Sequence, residues 1–193
     1  MPVTGSPPPG LLPFTGNAEA DRLLASDPLA LLIGFVLDQQ VPLQKAFIGP
    51  LELRRRLGTL DAATIAALPA ERLDQVFRER PALHRFPGSM ARRTHELCAV
   101  ISRDYGGDAA RVWREAADAH DLRRRLLALP AIGEMKAATL LAILIKRFGL
   151  RPAGWQDALP QHPTLGDVDS PAALADYQAG KRAAKAELKR TTG

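Results

Sequence analysis

The chain has 193 residues, 46% hydrophobic and 24% charged, enough for one core or for two small lobes. A formal net charge of +5 at pH 7, carried mostly by arginine, favours a polyanionic partner. The single cysteine, Cys98, excludes an internal disulfide and any four-cysteine iron–sulfur or zinc site built from this chain alone, and the four histidines are dispersed without metal-ligand spacing.

Residues 1–15 open with a Pro-, Gly- and Ser-rich stretch that has neither a basic start nor an apolar signal core, and they read as a flexible tail. The longest apolar stretches, near Leu29–Leu37 and Ala137–Ile145, are too short to span a bilayer, so a cytoplasmic protein without membrane association is predicted. Helical periodicity recurs along the chain and alternating strand patterns are scarce, which predicts an all-α fold. A first helix starts near Asn17. Ser26 or Asp27 caps a second with Pro28 in its first turn, and this helix is apolar nearly all round as far as Leu37, as befits a central buried helix. Asp38-Gln39-Gln40-Val41-Pro42 stops it. Leu43 to Gly49 reads as a helix, and Pro50 as the start of a separate segment reaching Leu57.

Helices are further predicted from Asp61 to Leu68, Ala70 to Arg78, Met90 to Tyr105 with Ser89 as cap, Asp108 to Trp113 and Ala119 to Ala128. Leu129-Pro130-Ala131-Ile132-Gly133 makes a sharp turn, in which Gly133 is the residue expected to need an unusual backbone conformation. Glu134 to Phe148 follows, then an irregular stretch from Leu150 to Ser170, and Pro171 to Arg190 closes the chain as a helix with a basic end. The opening amides of the helix after the turn lack intrahelical partners and sit at the positive end of its dipole, where a phosphate oxygen binds well.

The turn and the helix after it resemble the helix-hairpin-helix element of base-excision DNA glycosylases, usually written Leu-Pro-Gly-hydrophobic-Gly. Asp27-Pro28-Leu29 at the head of the apolar helix, Leu37-Asp38-Gln39-Gln40 at its end and Pro87-Gly88-Ser89 before Met90-Ala91-Arg92-Arg93 follow in the order of the endonuclease III-like branch. The resemblance covers about two thirds of the chain. It implies a two-lobed helical bundle with its glycosylase-like core over residues 16–150, a central lobe over 27–137, and a C-terminal extension over 151–193 that packs on the second lobe. The implied activity is excision of a damaged or mispaired base flipped out of duplex DNA, by a monomer without cofactor, metal or iron–sulfur cluster. A non-catalytic DNA-binding or lesion-recognition protein on the same scaffold is the alternative.

By the same resemblance, Gln40 fills the gap left by the flipped nucleotide, with Gln39 beside it, although both residues also suit a helix end bonding to its loop. The backbone of Ala131, Ile132 and Gly133 grips phosphate, aided by Met135, Lys136, Arg92 and Arg93. Ala131 departs from the usual first glycine. Met135 falls where lyase members carry their Schiff-base lysine, and the one-residue offset of Lys136 turns its side chain by about 100° toward phosphate. Monofunctional hydrolysis is therefore implied. The family keeps a carboxylate after the hairpin, and Asp157 is the nearest match. Asp38, at the end of an apolar helix, competes with it. Trp155 either stacks on an extruded base or anchors the C-terminal segment. The arginine runs at 54–56 and 123–125 read as solvated helix faces, and the terminal Lys181 to Arg190 set as a DNA arm or a solvated tail.

Overall fold

A computed structural model describes residues 9–191, and the first eight residues of the predicted tail lie outside it. Every regular element among the described residues is helical. The eleven α-helices are α1 (Ala18–Ser26), α2 (Pro28–Leu37), α3 (Leu43–Leu57), α4 (Ala62–Ala67), α5 (Ala70–Arg78), α6 (Pro87–Tyr105), α7 (Arg111–Arg114), α8 (Ala119–Leu127), α9 (Glu134–Lys146), α10 (Trp155–Ala158) and α11 (Pro171–Thr191), with a 3-10 turn at Leu165–Asp167. No helix among them is long and apolar enough to cross a membrane.

Local chemistry sets most boundaries. The Asn17 side chain accepts from the amides of Glu19 and Ala20, and Asp27 accepts from those of Leu29 and Ala30. Nine of the ten residues of α2 are buried, so this helix forms the middle of the core, as its unbroken apolar sequence requires. Helix α3 packs across it. Phe47 meets Phe35 and Phe14 edge to face, with centroids 5.2 and 5.5 Å apart. Helices α4 and α5 pack on α6, which also touches α2. The buried apolar side chains of all these helices form one continuous cluster.

Three sequence expectations are corrected. The chain from Leu12 to Phe14 is not a tail: both side chains are fully buried, and Asp21 binds the amide and hydroxyl of Thr15. Helix α3 runs through Pro50 without a break. Burial of Phe47, Leu51 and Leu53 on either side, and a contact at Gly49 so close that a Cβ there would lie 2.3 Å from Leu37 Cδ1, hold it continuous despite the missing amide. Helix α6 starts at Pro87 rather than Met90, with proline in the first turn and no side-chain cap.

The stretch from 150 to 170 contains two short elements. The 3-10 turn is fixed by a reciprocal cap, in which Thr164 Oγ1 accepts from Gly166 and Asp167 accepts from the Thr164 amide, and Lys146 pairs with Asp167 at 2.5 Å. It lies directly on α9. Helix α11 is anchored near its start by buried Leu174 and by the Gln178 amide, which pairs with that of Gln44 on α3.

Candidate nucleic-acid interface

The C-terminal end of α2, the turn between α8 and α9 and the first turn of α9 meet on one face. Asp38 is the C-cap of α2, donating its amide to Gly34 O at 3.0 Å. Gln40 follows with φ of +55°, an uncommon left-handed conformation for a residue with a side chain, and it is exposed. Gln39 is held: its Oε1 accepts from Arg93 on α6. The loop owes its position to a residue that sequence reasoning passed over. His84, 1% exposed, accepts the Phe86 amide at Nδ1, so its proton sits on Nε2, which lies 3.1 Å from the carbonyl oxygens of both Leu37 and Gln39.

Burial lowers the affinity of His84 for a proton, backbone acceptors oppose this, and the charges of Lys45 and Arg85 lower it further. A histidine pKa lowered by folding gives stability that is present above the unfolded value, about 6.5, and lost as pH falls through the folded value. Chemical denaturation should therefore show stability declining below about pH 6.5. In His84→Phe the decline over that interval should be shallower; an equally steep one would place the acid sensitivity elsewhere.

Leu129 to Ile132 form a turn closed by the Ile132 amide on Leu129 O at 3.2 Å. Pro130 occupies its second position and Ala131 its third, with φ of +62°. That position takes glycine in such turns. The left-handed residue is thus Ala131, not Gly133 as the sequence suggested: Gly133 has φ of −90° and ψ of −176°, ordinary extended backbone. Ala131→Gly should stabilise the protein by about 1 kcal/mol, read as a melting temperature roughly 2–4 °C higher. An unchanged or lower value would remove strain at Ala131 from the account.

Gly133 is exposed, and a Cβ there would meet nothing within 4 Å, so neither backbone angle nor internal packing explains a glycine. It leaves the approach to α9 open. No side chain caps α9, and the first amide of the segment bonded back along it is that of Ala137, on Gly133 O. Beside these open amides is a notch of about 400 Å³, lined by Gln39, Arg93, Ala131, Gly133 and the side chains from Glu134 to Lys136. Ile132 is buried, so its side chain serves the core, and it does not line the notch.

On the other side of the first turn of α9 is a cleft of about 410 Å³. Asp38 and Phe35 form one wall, Met135 and Lys136 another, and His162, Tyr177 and Lys181 complete it from the 3-10 region and α11. Burial raises the Asp38 pKa above the usual carboxylate range, against the pull of Lys136 and then Lys181. Burial also lowers the Lys136 pKa, while Asp38 raises it and Arg93 lowers it. Lys136 therefore does not turn away as its offset implied. It lines both the notch and the cleft, because a half-buried lysine stem can run along the helix and reach either side. Met135 is 80% exposed at the rim.

Several sequence candidates fall elsewhere. Asp157 is exposed on α10, which packs against α8 and is tied to its N-terminal end by the Ala119 amide on Ala153 O. That end is one α8 length, roughly 13 Å, from the turn, and Asp157 lines neither the cleft nor the notch. Trp155 is half-buried under the Arg151 guanidinium, 4.6 Å from its ring centre, and packs on the core. Arg92 faces the groove between α5 and α6, away from Arg93. Arg123 pairs with Glu134, while Arg124 and Arg125 pair with Asp121, whose carboxyl falls to about 2, held first by the Ala117 amide. Arg54 and Arg55 pair with Glu19.

The cleft residues His162 and Tyr177 carry no sequence signature, whereas Lys181 belongs to the basic terminal set and the Thr164–Asp167 cap beside them was legible. Among the described residues no three His, Cys, Asp or Glu side chains gather as metal ligands. Cys98 is buried in the core, which pushes its thiol up to about 12. Compared with protein-family models, curated proteins and solved structures, the chain matches none.

Proposed function

We propose that the protein is a base-excision DNA glycosylase that hydrolyses the N-glycosidic bond of a damaged or mispaired base flipped from duplex DNA. The observation that carries this reading is the placement of a half-buried carboxylate, Asp38, between an exposed glutamine loop tip and the open amides of α9. The amides, with Arg93 and Lys136, suit a phosphodiester. Gln40, exposed at the loop tip, is the side chain that fills the stack after a base leaves it. Bond cleavage leaves the electron pair on the departing base, which takes up a proton, and positive charge on the sugar. Asp38 stabilises that charge and accepts a proton from the water that attacks C1′. Burial raises the Asp38 pKa, and the charges of Lys136 and then Lys181 oppose that rise. Water is the only co-reactant this chemistry needs.

The test is a panel of duplexes carrying uracil, alkylated purines, oxidised bases and mismatches, incubated with the protein and then treated with hot alkali. Strand breaks at one lesion class support the reading. Tight binding without breaks at any lesion would favour the non-catalytic alternative, to which the distant position of Asp157 lends some weight. Absence of binding even at low salt would sink both. Borohydride present during the reaction should trap no covalent adduct, since hydrolysis forms no Schiff base.

A further inference from the structure

Helix α11 is anchored only at its beginning. Leu174 is buried and Gln178 is tied to α3, but every residue from Ala179 to Thr191 is exposed. At 100° per residue, Lys181, Lys185, Lys189 and Arg182 fall within about 100° of the helix circumference. Their arc continues the face that carries Leu174 and Gln178 against the body. Asp176 and Glu187 lie on the opposite side, where Glu187 takes Arg190 at 3.6 Å. Among the described residues no carboxylate comes within ion-pair distance of Arg182, Lys185 or Lys189.

Lysines four residues apart repel one another and weaken a helix. A merely solvated helix is better served by mixed signs, so the segregated row needs an external polyanion to offset its cost. The row begins inside the functional cleft, because Lys181 shares that cleft with Asp38. Its axial spacing of about 6 Å per lysine carries it outward along a line.

We propose that α11 is an arm that contacts the phosphodiester backbone of the duplex flanking the cleft, extending the bound length beyond the flipped nucleotide. This rests on the glycosylase reading of the cleft. The contacts carry no sequence information, since they reach phosphates alone. They act by releasing condensed counterions, each neutralised phosphate adding about 0.9 to the logarithmic salt slope of binding to duplex DNA.

The experiment compares the intact chain with R182Q/K185Q/K189Q, leaving Lys181 in place, on undamaged and lesion-bearing duplex over a range of salt. The slope should fall by two to three in the variant. Equivalently, the advantage of the intact chain should grow about 40-fold between 200 and 50 mM salt, alike on both duplexes. Glutamine preserves helix propensity, and circular dichroism checks that the helix survives. The reversal K185E/K189E, which keeps Arg182, should lower the slope by about two relative to the intact chain. Equal slopes for the intact chain and both variants would overturn the arm while leaving the cleft reading intact. Failure of the intact chain to bind duplex would count against the cleft reading itself. Loss of binding to phosphatidylserine vesicles with an unaltered DNA slope would reassign the row to a lipid surface and also overturn the proposal.

Discussion

Asp38→Asn should reduce base excision by about 10²–10⁴-fold while leaving affinity for lesion-bearing duplex unchanged or slightly higher. The amide keeps the shape of the side chain but cannot balance a cationic sugar or take a proton from water. It also leaves Lys136 and Lys181 without their shared counter-charge, which favours an incoming polyanion. Asp157→Asn is the control and should keep full turnover, because that carboxylate is exposed at the far end of α8. Single-turnover excision on the most reactive lesion from the panel measures both variants. Wild-type turnover in Asp38→Asn, or loss of turnover in Asp157→Asn, would reverse the assignment.

Stability gives an independent readout of the same residue. Folding raises the Asp38 pKa, so ionising this carboxyl costs more in the native state than in the unfolded chain. The sign follows from linkage: a raised folded pKa gives stability that is complete below the unfolded value and lost as pH rises through the folded one. Asp38→Asn removes that loss, and its melting temperature at pH 7 should exceed that of the parent. A site kept at the expense of stability behaves this way, whereas a purely structural carboxylate would do the opposite. The acid limb of activity in the parent should also lie above the ordinary aspartate range, since the carboxylate must be ionised to act.

The second large effect concerns the scaffold. Gly166 is set against the backbone of α9, where a Cβ would lie 2.7 Å from the Ala142 carbonyl carbon, 2.8 Å from its oxygen and 3.0 Å from the Ile143 nitrogen. Helical backbone cannot yield as a side-chain tip can. Gly166→Ala must therefore lift the 3-10 turn from α9, straining the Thr164–Asp167 cap and the Lys146–Asp167 pair together. Overpacking of this kind costs about 1–3 kcal/mol, which corresponds to a melting temperature lower by on the order of 5 °C. Because residues 162–165 line the cleft, excision should fall as well. A melting temperature within a degree of the parent would mean that this contact is looser than the distances imply.

Much of the fold was legible because its signals are local. Asn17 and Asp27 announce helix starts through side chains that reach amides two and three residues on, and α2 announces its burial by having no polar face. Pro50 misled for the same reason: proline argues for a break locally, whereas packing across α2 and α3 decides otherwise. Ala131 was noticed as a departure from glycine, yet which residue of the turn is left-handed depends on the closing hydrogen bond, and this the letters do not state. Of the adjacent arginines 92 and 93, only the second reaches the notch, a consequence of how α6 is rotated on its neighbours. The choice between Asp38 and Asp157 had the same character. Their sequence contexts favoured the one that lies away from the cleft.

By itself the sequence determined the helical class, the central helix, the turn with open amides after it and the excess of cations. These depend on periodicity, capping and composition, each set within a few residues or by simple sums. Only the tertiary structure decided that Asp38, Lys136 and Lys181 share one cleft, that His84 fixes the glutamine loop, and that α11 carries its cations away from that cleft. Those relations join residues as far as 143 positions apart. They arise from the way helices pack, which no local pattern records.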